Sequence, residues 1–145
     1  MRRALLVGID EYSFAPLAGC VNDVRAMERL LARNTDGSPN FDVRALTAPQ
    51  GTVTRAILRE HVEQLLEKPA DVALFYFSGH GTVNNLGGYL VTQDAAKYDE
   101  GVALTEVLTT INRSPVHEVV VLLDSCHSGA LGSLPAIEND KAILR

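Results

Sequence analysis

Three short, almost uninterrupted apolar runs, Ala4–Ile9, Val72–Phe77 and Val119–Leu123, constrain the fold more than any other feature of this chain. A strand with one wet face alternates apolar and polar residues, whereas a strand covered on both faces is apolar throughout. Each run is also far shorter than the roughly 20 apolar residues of a membrane span. They read as buried strands. Between them lie segments with helical spacing. Val21, Val24, Met27 and Leu31 form one apolar stripe, Leu58, Val62, Leu65 and Leu66 a second, and Leu104, Val107, Leu108 and Ile111 a third. Phe41–Leu46 reads as a further strand after the turn-forming stretch Asn34–Asn40, and Thr52 is the expected cap of the second helix. Gly87–Val91 reads as half of a small hairpin. Strands alternating with helices imply an α/β fold whose mostly parallel sheet carries helices on both faces through right-handed crossovers.

Composition narrows the functional classes. A net charge of −5 and the lack of a Lys/Arg run argue against nucleic-acid binding. Nothing in the sequence implies a membrane. Met1-Arg2-Arg3 before an apolar run imitates a secretory leader, but Asp10 and Glu11 interrupt it and no small-residue cleavage site follows. Two cysteines, Cys20 and Cys126, are too few for a disulfide framework and fit a reducing, cytoplasmic setting.

In a parallel sheet the chemistry gathers beyond the carboxyl ends of the strands. Two segments occupy that place: Ser78-Gly79-His80-Gly81 and Asp124-Ser125-Cys126-His127-Ser128-Gly129. A free thiol, with a pKa of about 8.5, is only slightly ionised at neutral pH, and a nearby imidazole raises its reactivity. The same imidazole can then protonate a leaving amine. A histidine in a glycine-rich loop is often a solvated turn residue, and a cysteine is often a small buried hydrophobe. Both readings weaken here, because each residue ends an apolar strand among small neighbours.

These two segments, with Val7-Gly8-Ile9 and Cys20-Val21-Asn22-Asp23, resemble the catalytic blocks of the caspase/metacaspase family of cysteine proteases. In caspases the histidine precedes the cysteine by about 50 residues. The Asp-Ser-Cys-His-Ser-Gly block is similar to metacaspases or bacterial members more than to animal caspases. The resemblance implies a caspase-like three-layer sandwich, incomplete without a small-subunit segment. Residues 1–134 would be the catalytic large-subunit part and 135–145 a linker or processing segment.

The resemblance also assigns roles. It makes Cys126 the nucleophile and His80 the general base and acid, with the backbone N–H groups of Gly81 and Cys126 holding the oxyanion. His127 is expected to be structural, since adjacent residues on an extended segment point to opposite sides. Cys20, Asp23, Ser78 and Asp124 match the acidic substrate pocket of metacaspases, which implies cleavage after Arg or Lys. Arg145 would then suit self-processing. The expected partners are a protein or peptide substrate, the protein's own small-subunit segment as a separate chain, and an activating protein or domain.

No cofactor or metal is implied. Some metacaspases bind calcium, and Asp94 matches one ligand position. Ser133, however, stands where an acid is expected, and the loop Ala95–Val102 offers only Asp99-Glu100. A zinc site from Cys20, His80, Cys126 and His127 lacks ligand spacing. An α/β-hydrolase elbow would want glycine where Asp124 stands. The remaining alternatives are a caspase-fold protease of other specificity and a catalytically silent signalling scaffold.

Overall fold

A computed structural model describes residues 1–84, 87–125 and 142–144. Its central sheet is built from β1 (Arg2–Ile9), β2 (Asp42–Ala48), β3 (Val72–Ser78), β7 (Glu118–Asp124) and β8 (Ala142–Leu144). The spatial order is β2-β1-β3-β7-β8, and every pairing is parallel. Helices α1 (Cys20–Ala32), α2 (Arg55–Leu66) and α3 (Leu104–Arg113) make the crossovers.

The continuous apolar strands divide by the period-two rule between two core halves. Leu5, Val7 and Ile9 of β1 join Phe75 and Phe77 of β3 and Val121 and Leu123 of β7, on the face covered by α2 and α3. Ala4 and Leu6, with Leu74 and Tyr76, pack on the other face with Val24 of α1. The register keeps these rows aligned, with Leu6 beside Tyr76 and Tyr76 beside Leu122. Gly8 lies in the α1-facing row. A Cβ there would sit 2.7 Å from both the Cys20 carbonyl oxygen and a Val24 methyl, so glycine lets the start of α1 close onto the sheet.

A second, antiparallel sheet follows His80: β4 (Gly81–Asn84), β5 (Gly87–Ala96) and β6 (Asp99–Ala103), in that order. The hairpin expected near Gly87–Val91 is present, and the stretch read as a loop over Ala95–Val102 contains β6. Cross-strand pairs such as Leu90 with Val102 compensate for its weak apolar pattern. The cap of α2 is Thr54 rather than Thr52, its hydroxyl accepting from the Ile57 N–H at 3.3 Å. The chain just before it is tied to Gln93: the Val53 N–H donates to the Gln93 side chain, and the Gln93 N–H donates to the Val53 carbonyl. That tether holds the backbone extended past Thr52. Among the described residues, no helix is long and apolar enough to cross a membrane.

Candidate active site

Ser78 and Asp124 are paired in the register at the carboxyl ends of β3 and β7, with Gly8 beside Ser78 on β1. All three belong to the α1-facing row, so the first turn of α1 comes down beside them. That turn carries Cys20 and Asp23. The structure therefore brings together the four residues expected to bind substrate. Cys20 and Ser78 are buried, while Asp23 and Asp124 are exposed. The result is a cluster in which two exposed carboxylates stand beside the buried Cys20 and Ser78.

The start of α1 is held by a residue that sequence patterning does not single out. Gly19 adopts φ 111°, and no side chain of the helix itself caps it. Instead Asp10, just past β1, accepts from the N–H groups of Cys20 at 2.9 Å and Val21 at 3.3 Å. A carboxylate at a helix N-terminus is favourable both as acceptor and against the helix dipole. Asp10 also raises the Cys20 thiol. Burial is the main cause of that upward shift, and the charges of Asp10 and Asp23 add to it against the hydrogen bond with Ser78. Cys20 is thus a neutral lining group.

Tyr76 is a second residue missed by motif reading, though its parity with Ser78 on β3 could have found it. Its hydroxyl donates to Asp124 Oδ2 at 3.3 Å. Burial pushes the phenol up to about 12, helped by the charges of Asp124 and Asp23 and opposed by its hydrogen bond with Ser78. The phenol is protonated, and so a donor, at any working pH.

His80 leaves β3 through Gly79, where a Cβ would lie 2.6 Å from the Tyr12 hydroxyl. With glycine there, Tyr12 accepts the His80 backbone N–H at 3.1 Å and donates to the Val91 carbonyl at 2.9 Å. The imidazole packs on the Tyr12 ring at a centroid distance of 4.6 Å. Its Nε2 lies 2.6 Å from the Ala15 carbonyl oxygen. A carbonyl only accepts, so Nε2 carries the hydrogen and Nδ1 is the free basic nitrogen of the neutral ring. No sequence signal marks Ala15, because its contribution is made by the backbone.

Gly81 opens β4 opposite Leu90. Cys126, His127, Ser133 and Arg145 lie outside the described residues, as does all of 135–145 except Ala142–Leu144. Those three residues form β8, which extends the sheet beyond β7.

Asp94 is already engaged. Its carboxylate accepts from the Thr92 hydroxyl at 2.6 Å and from the Arg55 N–H at 3.1 Å. The Arg55 guanidinium reaches Asp94 at 3.4 Å and Asp99 at 3.0 Å. A protein cation therefore lies between the two acids that calcium would need, and among the described residues no group of three or more ligating side chains assembles.

Fold and site together define an α/β protein with an acidic cluster and a positioned histidine at the carboxyl edge of a parallel sheet. A family model described as a caspase domain matches residues 1–143. Metacaspase-1 of Meyerozyma guilliermondii is 28% identical over 99% of this chain and 39% of its own length. Metacaspase-1A of Aspergillus oryzae is 30% identical over 99% of this chain and 38% of its own. The chain thus spans about two fifths of the length of these curated relatives. A crystal structure of a protein from Geobacter sulfurreducens superposes with a TM-score of 0.68, at 21% identity, over 90% of this chain and 52% of that one. The chain belongs to the caspase-domain family of cysteine peptidases.

Proposed function

We propose that this protein is a cysteine endopeptidase that cuts after Arg or, less readily, Lys. The observation that carries this reading is the convergence of Asp23 and Asp124 over Cys20, Ser78 and Tyr76 at the strand ends that lead to His80. Arg suits such a pocket because its planar fork pairs with a carboxylate through two hydrogen bonds. An acidic side chain entering there would meet like charge.

In the proposed reaction His80 Nδ1 takes the Cys126 thiol proton. The thiolate then attacks the scissile carbonyl carbon, and the resulting oxyanion is held by the N–H groups of Gly81 and Cys126. As the C–N bond breaks, the imidazolium returns the proton to the leaving amine. Water, deprotonated by His80, hydrolyses the thioester and restores the thiol. The bond from Nε2 to the Ala15 carbonyl supports the imidazolium without competing for Nδ1. The reaction draws on no cofactor. On this reading a small-subunit segment continues the sheet past β8.

The test is a panel of peptides differing only at the residue before the cut, assayed with wild type, Cys126→Ala, His80→Ala and Asp124→Ala. Cys126→Ala should abolish cleavage, and His80→Ala should nearly do so. Asp124→Ala should lower kcat/KM after Arg by about 30-fold or more, because bound substrate would cover the exposed Asp124 and removing one partner of a buried, hydrogen-bonded charge pair costs about 2 kcal/mol or more. A preference for Asp before the cut would overturn the specificity, and turnover by Cys126→Ala would overturn the nucleophile.

A further inference from the structure

The loop between β1 and α1 carries a large exposed apolar side chain with no evident structural duty. Phe14 is 54% exposed, yet its ring is not loose on the surface. It lies 5.2 Å from the Tyr12 ring and 6.0 Å from the His80 imidazole, so three rings form one cluster. Tyr12 belongs to the core half under α2 and α3. The acidic pocket is on the opposite, α1-facing side, with Tyr76 in the other core half. The imidazole thus has a carboxylate pocket to one side of the sheet edge and an aromatic surface to the other.

We propose that Phe14 forms the subsite for the residue immediately after the cut, and that it selects an apolar side chain there. This rests on the peptidase reading above and extends it to the leaving side of the substrate. The residue before the cut is anchored in the acidic pocket. The leaving amine must reach His80 to receive its proton, so the chain after the cut begins at the imidazole. Among the described residues, Phe14 gives an exposed apolar surface next to that ring, 6.0 Å from the imidazole. A Leu or Phe side chain there would cover the open face of the Phe14 ring, whereas Gly would leave it wet. Discrimination by one apolar side chain in such a site is typically about 10-fold or more.

The experiment uses peptides with Arg before the cut and Gly, Ala, Leu or Phe after it, and reads the Leu-to-Gly ratio of kcat/KM. Wild type should favour Leu by about 10-fold, Phe14→Ala should bring the ratio near one, and Phe14→Leu should retain most of it. A ratio near one in wild type, or one unchanged in Phe14→Ala, overturns the subsite while leaving the peptidase reading intact. The affinities of the same peptides for Cys126→Ala, with and without Phe14→Ala, supply a readout that needs no turnover. If wild type cleaves none of the peptides but binding still favours Leu through Phe14, the peptidase reading falls, the subsite falls with it, and only an apolar peptide contact at Phe14 is left.

Discussion

Tyr76 gives Asp124 a neighbour that donates to one of its carboxylate oxygens. Removing that donor while keeping the ring isolates its effect. Tyr76→Phe should lower kcat/KM for cleavage after Arg by about 2- to 10-fold, the range of one hydrogen bond, and should act mainly through KM. The same phenol makes a prediction about alkali. Its folded pKa is raised to about 12, so the protonated form is the one the fold favours. That contribution to stability is full below the ordinary tyrosine range and is lost as pH rises towards 12. Denaturation midpoints between pH 9 and 12 should fall more steeply, by roughly a pH-dependent share of that shift, in wild type than in Tyr76→Phe. At this scale the sequence was informative where a side chain does the work. That Ser78, Asp124, Cys20 and Asp23 fall at strand and helix ends was legible from the apolar runs and stripes beside them. Tyr12 and Asp10 were not, since each acts across a loop whose path no periodicity encodes.

Two elements show how backbone geometry shapes the pocket. α1 lies close against the sheet because Gly8 offers no side chain, and Gly8→Ala should cost about 1–3 kcal/mol through overpacking against backbone that cannot turn aside. A urea titration measures that loss. The start of α2 is braced to β5 and β6 by Arg55, whose guanidinium also donates to the carbonyls of Asp94 at 3.0 Å and Asp99 at 3.2 Å. Burial pushes the Asp94 carboxyl up, but hydrogen bonds from Thr92 and the Arg55 N–H, with the Arg55 charge, outweigh it and hold the group below its ordinary value. A depressed carboxyl stabilises above its unfolded pKa, and that stability is lost as pH falls through the folded value. The urea midpoint of wild type should therefore exceed that of Asp94→Asn at pH 7, and the gap should narrow as pH falls below the ordinary aspartate range. Helix stripes and apolar strands were plain in the sequence because burial on a face imposes its period directly. β4 and β6 were harder to read: their polar and glycine-rich residues pair only because β5 lies between them.

Across the whole molecule, the sheet runs from β2 at one edge to β8, three residues long, at the other. Among the described residues no strand lies beyond β8, and a bare parallel edge is a template for further strands. Under the proposed reading that edge receives the small-subunit segment, so residues 1–145 by themselves should self-associate or take up a second chain. A monodisperse monomer that cleaves peptides would overturn this need for a partner. The layered α/β architecture was legible because alternating strands and helices leave few ways to cover both faces of a sheet. The orientation of His80 was not, and the reason lies in the Ala15 carbonyl. Every residue type brings that same oxygen, so substitution at this position cannot delete the group that steadies the imidazole. It can only bend the loop that presents it. Genetic variation at position 15 should accordingly be nearly silent in function. Variants that reroute the loop, such as Asp10→Ala with its lost helix cap, should be the ones that register.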